Sequence, residues 1–239
     1  LARTTSTYVC QSCGAQTRQF FGRCASCGSW NSLVEQAATP SDTRRRRPVA
    51  SAEEATGIPA SARRSEPIAA VGDRPLQRLG SGYGELDRVL GGGLVPGSLV
   101  LLGGDPGIGK STLLLQSAQA MAAQHSVLYV SAEESAQQVK LRWRRLADEH
   151  DLQADVSQLH LLAETDLELV LQELEALRPA VAVIDSIQAL HDGELGSAPG
   201  SVAQVRECAA ALARIAKRQN TALLLVGHVT KEGMLAGPK

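Results

Sequence analysis

The chain has 239 residues, 44% apolar and 21% charged; that supports a packed core and excludes global disorder or a collagen-like chain. No apolar run reaches the roughly 18 to 20 residues that span a bilayer, and residues 1–9 lack the apolar stretch of a signal peptide. Nothing points to a membrane or to export, so a cytoplasmic location is expected. The net charge of −1 hides an asymmetry. Residues 1–80 carry 11 Arg and no Lys against 6 acids (+5), and residues 81–239 carry 13 bases against 19 acids (−6). The basic front suits either a polyanionic partner or a solvated tail.

Residues 1–35 form the first unit. Cys10-x2-Cys13 and Cys24-x2-Cys27 lie ten residues apart, with Gly14 and Gly28 after the second Cys of each pair. Four thiolates at this spacing suit tetrahedral Zn²⁺, and a stretch this short needs metal for its stability. Redox-active CxxC pairs are the competing explanation; no thioredoxin-like strand or helix surrounds them. Residues 36–70 form the second unit, rich in Ala, Ser, Thr, Pro and Arg, without sustained periodicity, and holding Arg44-Arg45-Arg46-Arg47. It reads as a flexible basic linker.

From residue 71 to 239, short apolar runs alternate with amphipathic stretches, the pattern of βα units on a parallel sheet. Strands are expected at 98–102, 127–131, 159–163, 180–184 and 222–226. Helices are expected at 110–124, 136–147, 166–177 and 202–219. The strands are apolar throughout rather than alternating, which predicts a sheet covered on both faces. The fifth cysteine, Cys208, falls near the apolar face of the last helix and reads as plain core.

Between the first of these strands and its helix lies Gly104-Asp105-Pro106-Gly107-Ile108-Gly109-Lys110-Ser111, which fits G-x-x-x-x-G-K-[ST] in the required strand-to-helix context. Its glycines let several N–H groups converge on one anion, and the helix N-terminus adds partial positive charge. Lys110 would reach the β- and γ-phosphates, and Ser111 would ligate Mg²⁺. Asp185 ends the strand at 180–184, where an unpaired carboxylate would be costly; a Walker-B role fits, with an ordinary helix cap as the alternative. Glu133 and Glu134 follow the strand at 127–131. Glu133 is the candidate base for an attacking water, and Glu134 the acid expected near a helix start. His228, at the end of the last strand, is a candidate γ-phosphate sensor.

In order along the chain, the four-cysteine motif, LDRVLGGGLVPGS (86–98), GDPGIGKST (104–112), VSAEES (130–135), VIDSIQ (183–188) and GHVTKEG (227–233) closely resemble the bacterial RadA (Sms) family of DNA repair proteins, within the RecA-like ATPase class. The resemblance covers essentially the whole chain. It implies an α/β fold: a RecA-like P-loop NTPase core with a parallel-dominated sheet, preceded by a small four-cysteine zinc-binding domain. It further implies a DNA-dependent ATPase of recombinational repair that takes ATP, Mg²⁺ and Zn²⁺. Such proteins bind single-stranded and branched DNA, drive branch migration, act beside a RecA-type recombinase and form homo-hexamers at full length. The nucleotide would be held by residues 104–112, including Thr112, and by Asp185. Glu133 is then the catalytic glutamate, with Lys110 and His228 acting beside it. Residues 192–201 and 229–239 fall where the family carries two DNA loops, the second offering Lys231 and Lys239. Residue 1 is Leu rather than Met, and the sequence stops at Gly237-Pro238-Lys239, ahead of the further core strands, KNRFG motif and Lon-protease-like domain the family carries. A C-terminally truncated member is expected.

Two other functions compete. A KaiC-like regulatory ATPase shares the LDRVLGGG entry and the phosphate loop, although the zinc unit ahead of the core speaks against it. A zinc adaptor with a nucleotide switch needs no turnover. The linker arginines test separately: if they touch DNA, neutralising Arg44 to Arg47 lowers the salt slope of DNA binding, whereas an unchanged slope makes the linker a tether.

Overall fold

The computed structural model describes residues 7–10, 15–36, 67–70, 72, 77–149, 156–195 and 197–228. The N-terminal unit is a three-stranded antiparallel sheet in the order β2-β1-β3, with β1 (Thr7–Cys10), β2 (Gln16–Thr17) and β3 (Leu33–Gln36). Among the described residues its core is a cluster of Cys10, Cys24 and Leu33, flanked by Tyr8 and Ala15, with Val9 buried besides. So little buried apolar surface cannot offset the ordering entropy of such a stretch, which agrees with a metal supplying the difference.

The larger unit begins with α1 (Gly84–Val89), whose surrounding turns are fixed by local bonds. The Leu79 and Leu94 backbones exchange two 2.8 Å hydrogen bonds, and Arg78 donates to the carbonyls of Leu90 (2.8 Å) and Gly93 (3.0 Å). Gly93 has φ +116°, and a Cβ there would lie 2.6 Å from the Leu79 carbonyl oxygen, so no other residue fits this turn.

A five-stranded parallel sheet follows, built from β4 (Leu99–Gly104), β5 (Val127–Ser131), β6 (Leu159–Ala163), β7 (Val181–Asp185) and β8 (Ala222–His228), in the order β4-β8-β7-β5-β6. The helices between them are α2 (Lys110–Ala122), α3 (Ala136–Glu149), α4 (Leu167–Leu177) and α5 (Val202–Gln219). Successive strand residues enter opposite layers. Val181, Val183, Leu224 and Val226 pack with α2 and α3, and Ala182, Ile184, Leu223 and Leu225 pack with α4 and α5. The inner strands β5 and β7 are buried at every position, so they must be apolar on both faces.

The expected covering on both faces fails at the edges. Leu99 and Leu101 of β4 are 38% and 44% exposed, and Leu161 of β6 is 38% exposed. Each edge strand lacks a neighbour on one side among the described residues. Element ends also move by a residue or two, as cap residues do. Asp166 is the N-cap of α4, its carboxylate accepting from the Glu168 N–H, and Ser201 caps α5.

After β7 the chain runs to α5 through a segment tied down by one buried amide. Gln204, 1% exposed, accepts from the Asp192 N–H and donates to the carbonyls of Asp192, Leu195 and Ser197. Gln204→Ala leaves those groups unmatched and should lower stability by on the order of 3 kcal/mol, read from the midpoint of urea denaturation. Cys208 is fully buried, as expected of core. Burial first, then the Asp192 charge, pushes its thiol from 9.0 up to about 11. The native state therefore holds the proton more tightly than the unfolded chain. This group's contribution is full below about pH 9 and is lost as pH rises towards 11. A thiol reagent should reach Cys208 at pH 8 only after denaturant is added.

Candidate functional site

The phosphate loop hangs from the end of β4. Residues 105–109 form an exposed turn, and α2 starts at Lys110. Gly109, the residue ahead of the helix, has φ +97°, a left-handed conformation that glycine adopts without strain. It turns the chain so that the helix N-terminus opens onto the loop. Lys110 is largely buried, and its Nζ donates to the Gly104 and Asp105 carbonyls, both at 2.8 Å. The ammonium is thus held over the loop, where an anion would meet it together with the free N–H groups of the helix start.

The opposite wall is the end of β7. Asp185, 7% exposed, accepts from Ser111 Oγ at 3.0 Å and from the Tyr129 hydroxyl at 2.6 Å. Arg142 Nη2 lies 3.9 Å from Asp185 Oδ2 and 2.9 Å from Glu134 Oε2. Burial, reinforced by the neighbouring Asp185 carboxylate, pushes the Tyr129 phenol well above its usual range, so it stays a hydrogen-bond donor at any ordinary pH. The β5–β7 register sets Ser131 opposite Asp185. Residues 132–134 therefore emerge beside the acid, where Glu133 Oε1 accepts from Ser186 Oγ. Ser131 Oγ clamps the same turn, accepting from the Glu134 N–H and donating to its carbonyl. A Ser135–Gln138 capping box then starts α3.

The structure thus brings Lys110, Ser111, Asp185 and Glu133 to one end of the sheet. The β4–β8 register sets His228 opposite Gly104, at the first residue of the loop. Of the two expected DNA loops, 192–195 and 197–201 are anchored through Gln204, and 229–239 lies outside the described residues. Glu134, the residue ahead of the Ser135 cap of α3, also pairs with Arg142. Sequence reading missed Tyr129, Arg142 and Ser186. Tyr129 alone carried a signal, since a hydroxyl within a fully buried strand demands a partner.

In the N-terminal unit, the Sγ atoms of Cys10, Cys24 and Cys27 lie within 4.8 Å of one another, with Cys10 and Cys27 3.6 Å apart. A disulfide requires about 2.05 Å. Thiolates bound tetrahedrally at about 2.3 Å from zinc sit about 3.8 Å apart. The donor set and its spacing fit zinc. Gly28, at φ +75°, follows Cys27 and donates its N–H to the Cys24 carbonyl. Cys13, the expected fourth ligand, lies outside the described residues.

Parallel sheet, phosphate loop and strand-end acid together define a RecA-like nucleotide-binding core. The family described as AAA domain matches residues 84–234, and the chain belongs to it. The family described as rubredoxin metal binding domain matches residues 8–35, in accord with zinc at the cysteine cluster. Over its full length the chain is similar to proteins named DNA repair protein RadA. It is 49% identical to that of Synechocystis sp. (strain PCC 6803), 48% to that of Listeria monocytogenes serovar 1/2a and 45% to that of Bacillus subtilis (strain 168). All of this chain is covered in each case, against 50%, 49% and 50% of the relative; the chain spans about half the length of the curated relatives it matches. Among the described residues, no helix is long and apolar enough to cross a membrane.

Two outcomes are expected. Tyr129→Phe leaves Asp185 Oδ2 short of its nearest donor and should lower thermal stability by about 1–2 kcal/mol. Cys24→Ser should reduce bound zinc, measured by metal release, and raise amide exchange in residues 8–35 while leaving the five-stranded sheet protected.

Proposed function

We propose that this chain is the ATP-binding part of a DNA-dependent ATPase of recombinational repair, made of a zinc unit (1–35), a basic linker (36–70) and an ATPase core (71–239). The observation that carries the reading is the 3.0 Å contact between Ser111, at the start of the phosphate-loop helix, and Asp185, at the end of the central strand. A hydroxyl and a carboxylate so placed suit a hard divalent cation, and the pair would hold Mg²⁺, which neutralises phosphate charge when bound. Residues 104–112 wrap the phosphates, and Lys110 leaves its two loop carbonyls for them. Glu133 takes the proton of the attacking water as the new P–O bond forms and ADP departs. Ser186 aims that carboxylate, and His228, beside Gly104 in the sheet, reports loss of the γ-phosphate to the segment that follows it.

The substrate reading rests on the named relatives, which are DNA repair proteins. In it the full-length protein is a cytoplasmic homo-hexamer that binds single-stranded and branched DNA, works with a RecA-type recombinase, and uses hydrolysis to drive branch migration.

Lys110→Ala should abolish binding of a fluorescent ATP analogue. Glu133→Gln should keep binding and lower phosphate release by on the order of 10²-fold or more. Unchanged phosphate release in Lys110→Ala rejects the site, and release that single-stranded DNA never stimulates rejects the DNA dependence.

A further inference from the structure

The chain has seven aromatic residues in all, two Phe, two Trp and three Tyr. Four of them, Tyr8, Phe20, Phe21 and Trp30, fall within the zinc unit, between residues 8 and 35. Three of these four do not serve its core: Trp30 is 71% exposed, Phe20 57% and Phe21 48%. Unburied rings are unusual in a unit with so little apolar surface to bury, and contiguous ones mark a binding face.

The backbone sets the two ring-bearing segments side by side. Residues 22–23 run beside 30–31: the Asn31 N–H donates to the Gly22 carbonyl at 2.8 Å, and Arg23 bridges to Trp30. Phe20 and Phe21 directly precede this pairing. Gly22 backs the indole, since a Cβ there would lie 3.9 Å from Trp30 Cζ3. The Arg23 guanidinium stands 5.8 Å from the Trp30 ring centroid and is locked by a 2.9 Å bond to the Gly28 carbonyl. Phe20 meets the Tyr8 ring edge-on at 5.6 Å. Trp30 and Phe20 are therefore held by neighbours, and Phe21 is exposed directly after Phe20. Their charged neighbours in this unit are Arg18 and Arg23, against Glu35 alone among the described residues, within a front segment of charge +5.

Rigid exposed rings interleaved with arginine fit a partner that presents flat faces joined by anions. We infer that the zinc unit carries its own binding site for single-stranded DNA, in which bases stack on Trp30, Phe20 and Phe21 while Arg18 and Arg23 meet phosphates. The site is separate from the ATP site. Only the choice of DNA as the nucleic acid rests on the function proposed above.

The test uses the full chain without nucleotide, at low salt, with an oligothymidine and an abasic oligomer of equal length. Stacking should quench Trp30 fluorescence with the oligothymidine and not with the abasic oligomer, and Trp30→Leu should remove the quenching. Affinity, by anisotropy, should fall on the order of tenfold for Trp30→Leu and for Phe20→Ala with Phe21→Ala, and Trp30→Phe should restore it. The salt slope should hold in the ring variants and drop by about one in Arg18→Gln. Zinc content near one per chain certifies each variant as folded. DNA binding that persists with unquenched Trp30 and unaltered ring variants overturns this inference alone and assigns the face to a protein partner. No binding of single-stranded DNA by the parent chain overturns it together with the DNA reading of the core.

Discussion

The nucleotide end of this molecule depends on one carboxylate set at the end of a fully buried strand. Asp185 closes β7, the middle of the five strands, and so polar a group is tolerable there only because three groups meet it: a phenol, a hydroxyl and, further off, a guanidinium. Each comes from a different element. Tyr129 belongs to β5, Ser111 to the helix after the phosphate loop, and Arg142 to α3. The requirement to solvate one acid therefore fixes how these elements stand relative to one another. Arg142 also pairs with Glu134, which carries the constraint to the turn that presents Glu133.

Much of this was legible in the chain itself. Unbroken apolar runs at β5, β7 and β8 could only be strands buried on both faces, and the glycine pattern before Lys110 fixed the loop. What escaped has a common physical origin. The exposure of Leu99 and Leu101 follows from strand order, which periodicity does not encode. Gln204 reads as any polar residue on a helix, yet it satisfies four backbone groups of the segment ahead of that helix. Arg142 looked like a solvated charge on an amphipathic helix. Each acquires its role from a side-chain or backbone partner outside its own helix, and residue pattern alone carries no record of that pairing.

The two units solve the stability problem differently. The larger unit buries two apolar layers against one sheet. Among the described residues the N-terminal unit has four buried hydrophobic residues and leaves three of its four rings outside, so thiolate–metal bonds must supply what packing does not. Surface that would otherwise be spent on a core is thereby available for contact.

Strand order also has a consequence for how the molecule is made. In the described sheet β4 pairs only with β8, the last of the described strands in sequence. On the ribosome, the strand that bears the phosphate loop thus emerges more than a hundred residues before the neighbour it must hydrogen-bond to. Strands β5, β6 and β7 can zip together in the meantime, while β4 waits unpaired for the chain to bring β8 between it and the rest. The strand that leads into the phosphate loop is therefore secured only when β8, synthesised well after it, takes its place beside it.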